Sequence, residues 1–286
     1  MESLLAGGSP YLCIKRMNTA RKYSIVIVTL NNAEGLSRTL QSVRQLHYAS
    51  IETIVVNGGN DADTKELLSA NHDIITLAIS EADTGIYNAM NKGIRHVTGD
   101  YVVFMNAGDI FAHNGVLSLV SYYDGDIILG GETYGGVVRM VKPTMSLYDI
   151  LSIGINHQAV YYRSDLLKKY PFDESYRLIA DLKSVIEPLA KESASVSCIT
   201  EILAICEGGG LSKKRWRDTL TERQRIIDEV IAPLYKDDYS RFSRINNDLI
   251  GDFIVLSHFR SIFPLIRFLA RIMRFLNNRF KHIPID

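Results

Sequence analysis

Apolar positions along the first half of the chain switch between two spacings. Ser24-Ile25-Val26-Ile27-Val28-Thr29, residues 51–56, residues 74–79 and Tyr101-Val102-Val103-Phe104-Met105 are unbroken runs of strand length. Such runs, rich in branched side chains, suit strands buried on both faces. Between them, Leu36, Leu40, Val43 and Leu46 recur at helical spacing, and so do Ile86, Ala89, Met90, Gly93 and Ile94. A further helix is expected over 63–70. This alternation predicts an α/β fold: a mostly parallel central sheet with helices on both faces. Further strands are expected at 126–129, 159–162 and 201–206. Residues 132–151 read as an irregular loop over the site, and the chain is helical in pattern from Trp216 onward.

Local signals set the expected boundaries. Asn31 and Glu34 have the spacing of a capping box at the first helix. Thr98-Gly99 is expected to stop the third helix, with Gly99 taking a positive φ. The organisation that follows is a loose tail over 1–21, a sheet domain over 22–212 and a helical C-terminal region over 213–286.

The densest chemistry lies in residues 79–109, where strand end, acidic loop, short helix, strand and polar break follow one another. Asn106-Ala107-Gly108-Asp109 comes directly after the apolar run 101–105. A carboxylate at the carboxyl end of a buried strand stands where open α/β sheets place their ligands. The stretch Ser80-Glu81-x-Asp83-x-Gly85-Ile86-Tyr87-x-Ala89-Met90-Asn91-Lys92-Gly93, with Asn106 to Asp109 after it, resembles the core of the family 2 glycosyltransferases, in a bacterial surface-polysaccharide branch. The resemblance spans about residues 23–212. It implies a GT-A nucleotide-diphospho-sugar fold and an inverting hexosyl transfer from a nucleotide-diphosphate sugar to a glycan or lipid-linked acceptor.

The same resemblance implies roles for individual residues. Asp109 is the match to the metal-binding carboxylate of an Asp-x-Asp-type motif, implying Mn²⁺ or Mg²⁺. Asn106 stands where that motif has its first Asp. Asp181, in Phe172-Asp173-Glu174-Ser175-Tyr176-Arg177-Leu178-Ile179-Ala180-Asp181, matches the general base. Thr29, Asn31, Asn57, Gly58, Glu81, Asp83, Asn91, Lys92, Asn106 and His157 are expected around the donor. Asn57 replaces a base-holding Asp, and its amide offers both a donor and an acceptor. Glu207-Gly208-Gly209-Gly210-Leu211-Ser212 matches a Gly-rich ending of this branch, and Lys213 to Arg217 adds a basic cluster suited to a diphosphate. Ser212 stands where processive members carry Gln, which implies one sugar per encounter.

Composition narrows the classes. The chain has 286 residues, 47% hydrophobic and 22% charged, as expected of one large folded domain with an appendage. A formal net charge of zero argues against nucleic acid as a partner. Cys13, Cys198 and Cys206 lack metal-ligand spacing and read as reduced thiols in a cytoplasmic protein. Residues 1–21 have no signal-peptide core, and no segment holds ~18 uncharged apolar residues, so no membrane span is expected.

Residues 253–280 place Arg260, Arg267, Arg271 and Arg274 on one side of a helical wheel. Phe259, Ile262, Phe263, Ile266, Leu269, Ile272, Met273 and Leu276 fill much of the rest. This basic amphipathic pattern suits a helix lying on an anionic membrane surface, placing the enzyme on the inner face of the cell membrane. Two other classes compete. A sugar nucleotidyltransferase would need a Gly-rich basic loop after strand one, where Thr29-Leu30-Asn31-Asn32 stands. A non-catalytic membrane-associated scaffold would keep the fold without donor turnover.

Overall fold

The computed structural model describes residues 21–208 and 215–231. All of them fall within one compact unit whose boundary lies at Ile231. The tail 1–20, the segment 209–214 and the stretch 253–280 lie outside the described residues.

Four parallel strands form one half of the sheet: β1 (Tyr23–Thr29), β2 (Ile51–Asn57), β3 (Leu77–Ser80) and β4 (Tyr101–Asn106). The other half is mixed, built from β5 (Ile110–Phe111), β6 (Ile127–Tyr134), β7 (Val137–Arg139), β8 (Val160–Arg163) and β9 (Val196–Cys206). The order is β3-β2-β1-β4-β8-β6-β9-β5, with β7 paired to β6. β8 runs antiparallel to both β4 and β6, whereas β6 and β9 are parallel. Helices α1 (Ala33–Arg44), α2 (Ala62–Ala70), α3 (Ile86–Ile94), α4 (Val116–Val120), α5 (Leu147–Ile153), α6 (Ser164–Lys169), α7 (Ala180–Glu192) and α8 (Trp216–Val230) complete the described fold.

The core follows from the runs read in the sequence. Ile25, Val26, Ile27, Val55, Val56, Val102, Val103 and Phe104 are fully buried, as strands covered on both faces require. Each such side chain contributes roughly 1.5–3 kcal/mol through burial. Leu36 and Leu40 of α1 and Met90 of α3 are sealed against the same strands.

Three local expectations are corrected. The cap of α1 is Asn32, whose Oδ1 accepts from Gly35 N at 2.9 Å, while Asn31 sits at φ +49° and accepts from Asn60 N at 3.0 Å. α3 ends at Ile94 with Arg95 still right-handed, and Gly99 is not at positive φ. Glycine is needed there for space, because a Cβ would press on Ser24 Oγ and the Lys22 carbonyl. Residues 132–151 are irregular only over 140–146; the rest is the end of β6, the β6–β7 hairpin and α5, which opens on a full capping box of Ser146 and Asp149. β7 went unread because its three residues are all exposed and show no alternation.

Candidate active site

The carboxyl ends of β1, β2 and β3 meet in one polar corner. Gly58 N donates to Thr29 O at 2.9 Å, and Glu81 N donates to Asn57 O at 3.1 Å, so the three loops are stitched backbone to backbone. Asn57 is fully buried and accepts from Gly59 N at 2.9 Å, which folds the turn after β2. Its Nδ2 and the hydroxyl of Thr29 are buried with no hydrogen-bond partner among the described residues. Buried donors of this kind are rare unless a ligand meets them. Asp83 packs over Gly58 so closely that a Cβ there would overlap its carboxylate, and it accepts from Gly85 N at 3.0 Å. Thr29, Asn31, Asn57, Gly58 and Asp83 are therefore brought together.

Three of the expected donor residues lie behind that corner. Lys92 Nζ pairs with Glu81 at 2.9 Å and donates to Ala82 O at 2.7 Å, so it braces the 81–85 loop. Asn91 holds the backbone of Phe172 at both ends, donating to its carbonyl at 2.8 Å and accepting from its N–H at 3.0 Å. A further hydrogen bond runs to Glu174. With its amide so engaged, Asn91 is a clamp on the 172–174 loop. Glu81 is more than half exposed, at the outer edge of the loop.

The second corner gathers around His157, in a turn of 3₁₀ helix over His157–Ala159 that leads into β8. His157 Nδ1 is 3.1 Å from Asp181 Oδ2, and Nε2 is 3.2 Å from Asn106 Oδ1. Asp181, in the first turn of α7, also accepts from Tyr87 OH at 3.2 Å and from its own helix at Leu182 N, 2.9 Å. Burial, reinforced by the Asp181 charge, holds the Tyr87 hydroxyl protonated far above the ordinary tyrosine range. Tyr87, Asp181, His157 and Asn106 thus form one connected chain from α3 to the end of β4.

Asp109 sits beside this chain at 6% exposure. Burial pushes its carboxyl pKa up, an effect opposed by donors from Gln158 Nε2 at 2.6 Å and Glu207 N at 3.1 Å. Thr39 Oγ1 of α1 donates to Asp109 O at 2.8 Å and accepts from Gly108 N at 3.0 Å, fixing the turn that presents the carboxylate. Gly108 lies at φ +114°, where only glycine is at ease, and a Cβ would meet the Glu207 carboxylate. Glu207 itself pairs with Arg38.

Behind Asp181 the backbone is held by a residue far along the chain. Glu222 of α8 accepts from Arg177 N at 2.8 Å, Leu178 N at 3.0 Å and Ile179 N at 3.1 Å. Ile226 and Ile227 are buried along the same helix, and Glu229 takes hydrogen bonds from Tyr176 OH at 2.8 Å and Lys183 Nζ at 3.1 Å. Of the basic cluster, Arg215 pairs with Asp218 and Arg217 lies over the Trp216 ring; Lys213 and Lys214 are outside the described residues.

A polar pocket at the carboxyl edge of a GT-A-like sheet, with one buried aspartate after β4 and another opening a helix, is matched by sequence. The profile of Glycosyl transferase family 2 covers residues 24–166. This chain belongs to that family. It is 30% identical over 196 residues to an uncharacterized glycosyltransferase of Mycobacterium tuberculosis, covering 64% of this chain and 75% of the relative. A PGL/p-HBAD biosynthesis glycosyltransferase of Mycobacterium bovis is 28% identical over 172 residues, covering 57% and 67%. Among solved structures, the S. aureus TarS 1–349 fragment superposes with a TM-score of 0.59 at 17% identity, over 79% of this chain and 74% of that one. The mannosyltransferase PcManGT of Pyrobaculum calidifontis, solved with GDP-Man and Mn²⁺, gives 0.58 at 16% identity, over 77% and 68%. The family 2 glycosyltransferase fold expected from the sequence is thereby shown, and the chain is a glycosyltransferase.

Tyr87, Thr39, Gln158, Glu207 and Glu222 bond to the expected site residues or to the backbone beside them. Tyr87 lies inside the motif at 80–93, Gln158 follows His157 and Glu207 opens the Gly-rich stretch, so all three were within reach of the sequence. Thr39 and Glu222 carry no local signal.

Proposed function

We propose that this glycosyltransferase moves one sugar from a nucleotide-diphosphate sugar to a hydroxyl of a glycan or lipid-linked acceptor in surface-polysaccharide synthesis, inverting the anomeric centre. The observation that carries the reading is the Tyr87–Asp181–His157–Asn106 chain, which fixes one carboxylate beside the carboxyl end of β4. Asp181 takes the proton of the acceptor hydroxyl as its oxygen bonds to the anomeric carbon. The bond from that carbon to the diphosphate breaks, and its electron pair leaves with the nucleoside diphosphate. Thr29, Asn31, Asn57, Gly58 and Asp83 hold the nucleotide and sugar, with the unmet Asn57 Nδ2 and Thr29 hydroxyl as contacts.

The donor set suits a cation that draws its remaining ligands from the substrate's phosphates, as Mg²⁺ commonly does. Among the described residues no group of three His, Cys, Asp or Glu could cage a metal alone. Asp109 supplies a desolvated carboxylate, and Gln158 Oε1 beside it is buried without a partner. Asp109 is the residue that would hold the metal, which when bound would neutralise charge building on the leaving diphosphate.

A thermal-shift screen of nucleotide sugars with Mn²⁺ or Mg²⁺, followed by NMR of the product anomer, tests the reading. A stabilising donor and an inverted product are expected. A retained configuration, or no stabilisation by any nucleotide sugar, contradicts it. Among the described residues no helix is long and apolar enough to cross a membrane, and attachment to a membrane surface through 253–280 is part of the proposal.

A further inference from the structure

A groove of about 420 Å³ opens beside Asp181 and His157, lined among others by Tyr134, Arg139, Ile153, Asn156, Leu182 and Arg223. Asn156 and Leu182 are chain neighbours of His157 and Asp181, so the groove borders the proposed base. Arg223 lies in the lining, and Glu132 stands behind it, bonded to the lining residues Asn156 and Arg139. Glu132 is 5% exposed; its Oε1 accepts from Asn156 Nδ2 at 2.6 Å and faces Arg139 at 3.4 Å, while Oε2 is buried without a partner. Arg223 of α8 donates to Ser152 O at 3.1 Å, yet its Nε is buried without an acceptor, and it makes no ion pair among the described residues.

A guanidinium anchored at one end wants an oxyanion, which its planar fork matches. Arg139 is already offset by Glu132, so Arg223 leaves the groove with a positive excess. Tyr134 and Ile153 add apolar wall, and Arg139 lies over the Tyr134 ring at 4.9 Å.

Building on the transfer proposed above, we propose that this groove is the acceptor subsite and takes a sugar carrying an anionic group, a phosphate or a carboxylate. Arg223 binds the anion, and Glu132 holds Asn156 and Arg139 in the groove wall. A neutral acceptor would leave the Arg223 charge without a counter-charge among the described residues, so charge is what the groove selects.

Three probes separate the possibilities in calorimetric binding to the full chain: phenyl β-D-glucoside, its 6-phosphate and phenyl β-D-glucuronide. At least one charged probe should bind about tenfold or more tightly than the neutral one, the scale of one charge-assisted hydrogen bond. The tighter of the two names the anion. Arg223→Gln should erase that preference and Arg223→Lys should keep part of it. Thr219→Glu, which places a carboxylate in the same groove, should also erase it, and it serves if the first variant fails to fold. Equal binding of charged and neutral probes, no binding of either charged probe at millimolar concentration, or a preference that survives both Arg223→Gln and Thr219→Glu overturns the assignment. Asp181→Asn should keep the preference. Loss of transfer with the preference intact therefore speaks to the base, and loss of the preference with transfer intact speaks to this subsite.

Discussion

Asp109 shows how a buried carboxylate is made tolerable and useful at once. At 6% exposure it would be costly alone, and the donors from Gln158 and Glu207 offset part of that cost. Asp109→Asn keeps the shape but offers a single acceptor oxygen to two donors, and it removes the charge that would hold a cation. Transfer should be abolished while the melting temperature falls by only a few degrees, the scale of about 1 kcal/mol in a domain of this size. Near-native release of nucleoside diphosphate with Mn²⁺ present would remove Asp109 from the metal role. At this scale the placement of the candidate residues was partly legible. Asp109, Asp181 and His157 stand out in the sequence by their place in the family motifs, and the fold brings them close together. Asn91 lies in the same stretch, and its amide is engaged by the 172–174 loop. Glu222 was invisible, because its partners are backbone N–H groups that any sequence supplies.

Elements place these side chains, and two of them are pinned by single carboxylates. Glu222 satisfies three successive N–H groups just before α7. Glu222→Ala should cost about 1–3 kcal/mol of stability, the range for orphaned buried donors, and lower turnover by loosening Asp181. Glu222→Gln should fall between. An Ala variant with unchanged denaturant midpoint and turnover would show the contact to be idle. At the opposite edge, Glu52 binds Ser24, Thr98, Gly99 and Lys22, tying β1 and β2 to the turn that enters β4. Burial alone would raise its pKa, but hydrogen bonds from Lys22, Ser24 and Thr98 outweigh that and hold it at about 2. A folded pKa below the unfolded one stabilises at higher pH, and that contribution is lost as pH falls from about 4.5 towards 2. Glu52→Gln should flatten the acid limb of stability against pH. An unchanged limb would deny Glu52 this part. β1, β2, β4, β8 and α1–α3 were readable because burial on two faces forces apolar runs and burial on one forces a helical period. β7 and α5 were not: the first is three exposed residues, and the second is seven residues opened by a cap within a polar stretch.

Over the whole molecule, the described unit holds the corner proposed for the donor, the proposed base and the groove proposed for the acceptor, and residues 253–280 are proposed as the means of reaching a membrane-bound acceptor. Each Arg near an anionic surface is worth about 1 kcal/mol, so Arg260, Arg267, Arg271 and Arg274 together could hold the enzyme there. Truncation before Phe253 should release the protein from anionic vesicles and spare donor hydrolysis. Equal affinity of the full chain for anionic and neutral vesicles would end that proposal. The central claim is that Asp181 is the base of an inverting sugar transfer. It is tested most directly by measuring turnover and donor affinity together in Asp181→Asn, with the nucleotide sugar that stabilises the protein most. Turnover should fall by about 10²-fold or more with donor affinity unchanged, the scale for losing a positioned base. Turnover near the native rate, or equal losses of turnover and donor affinity, would contradict it.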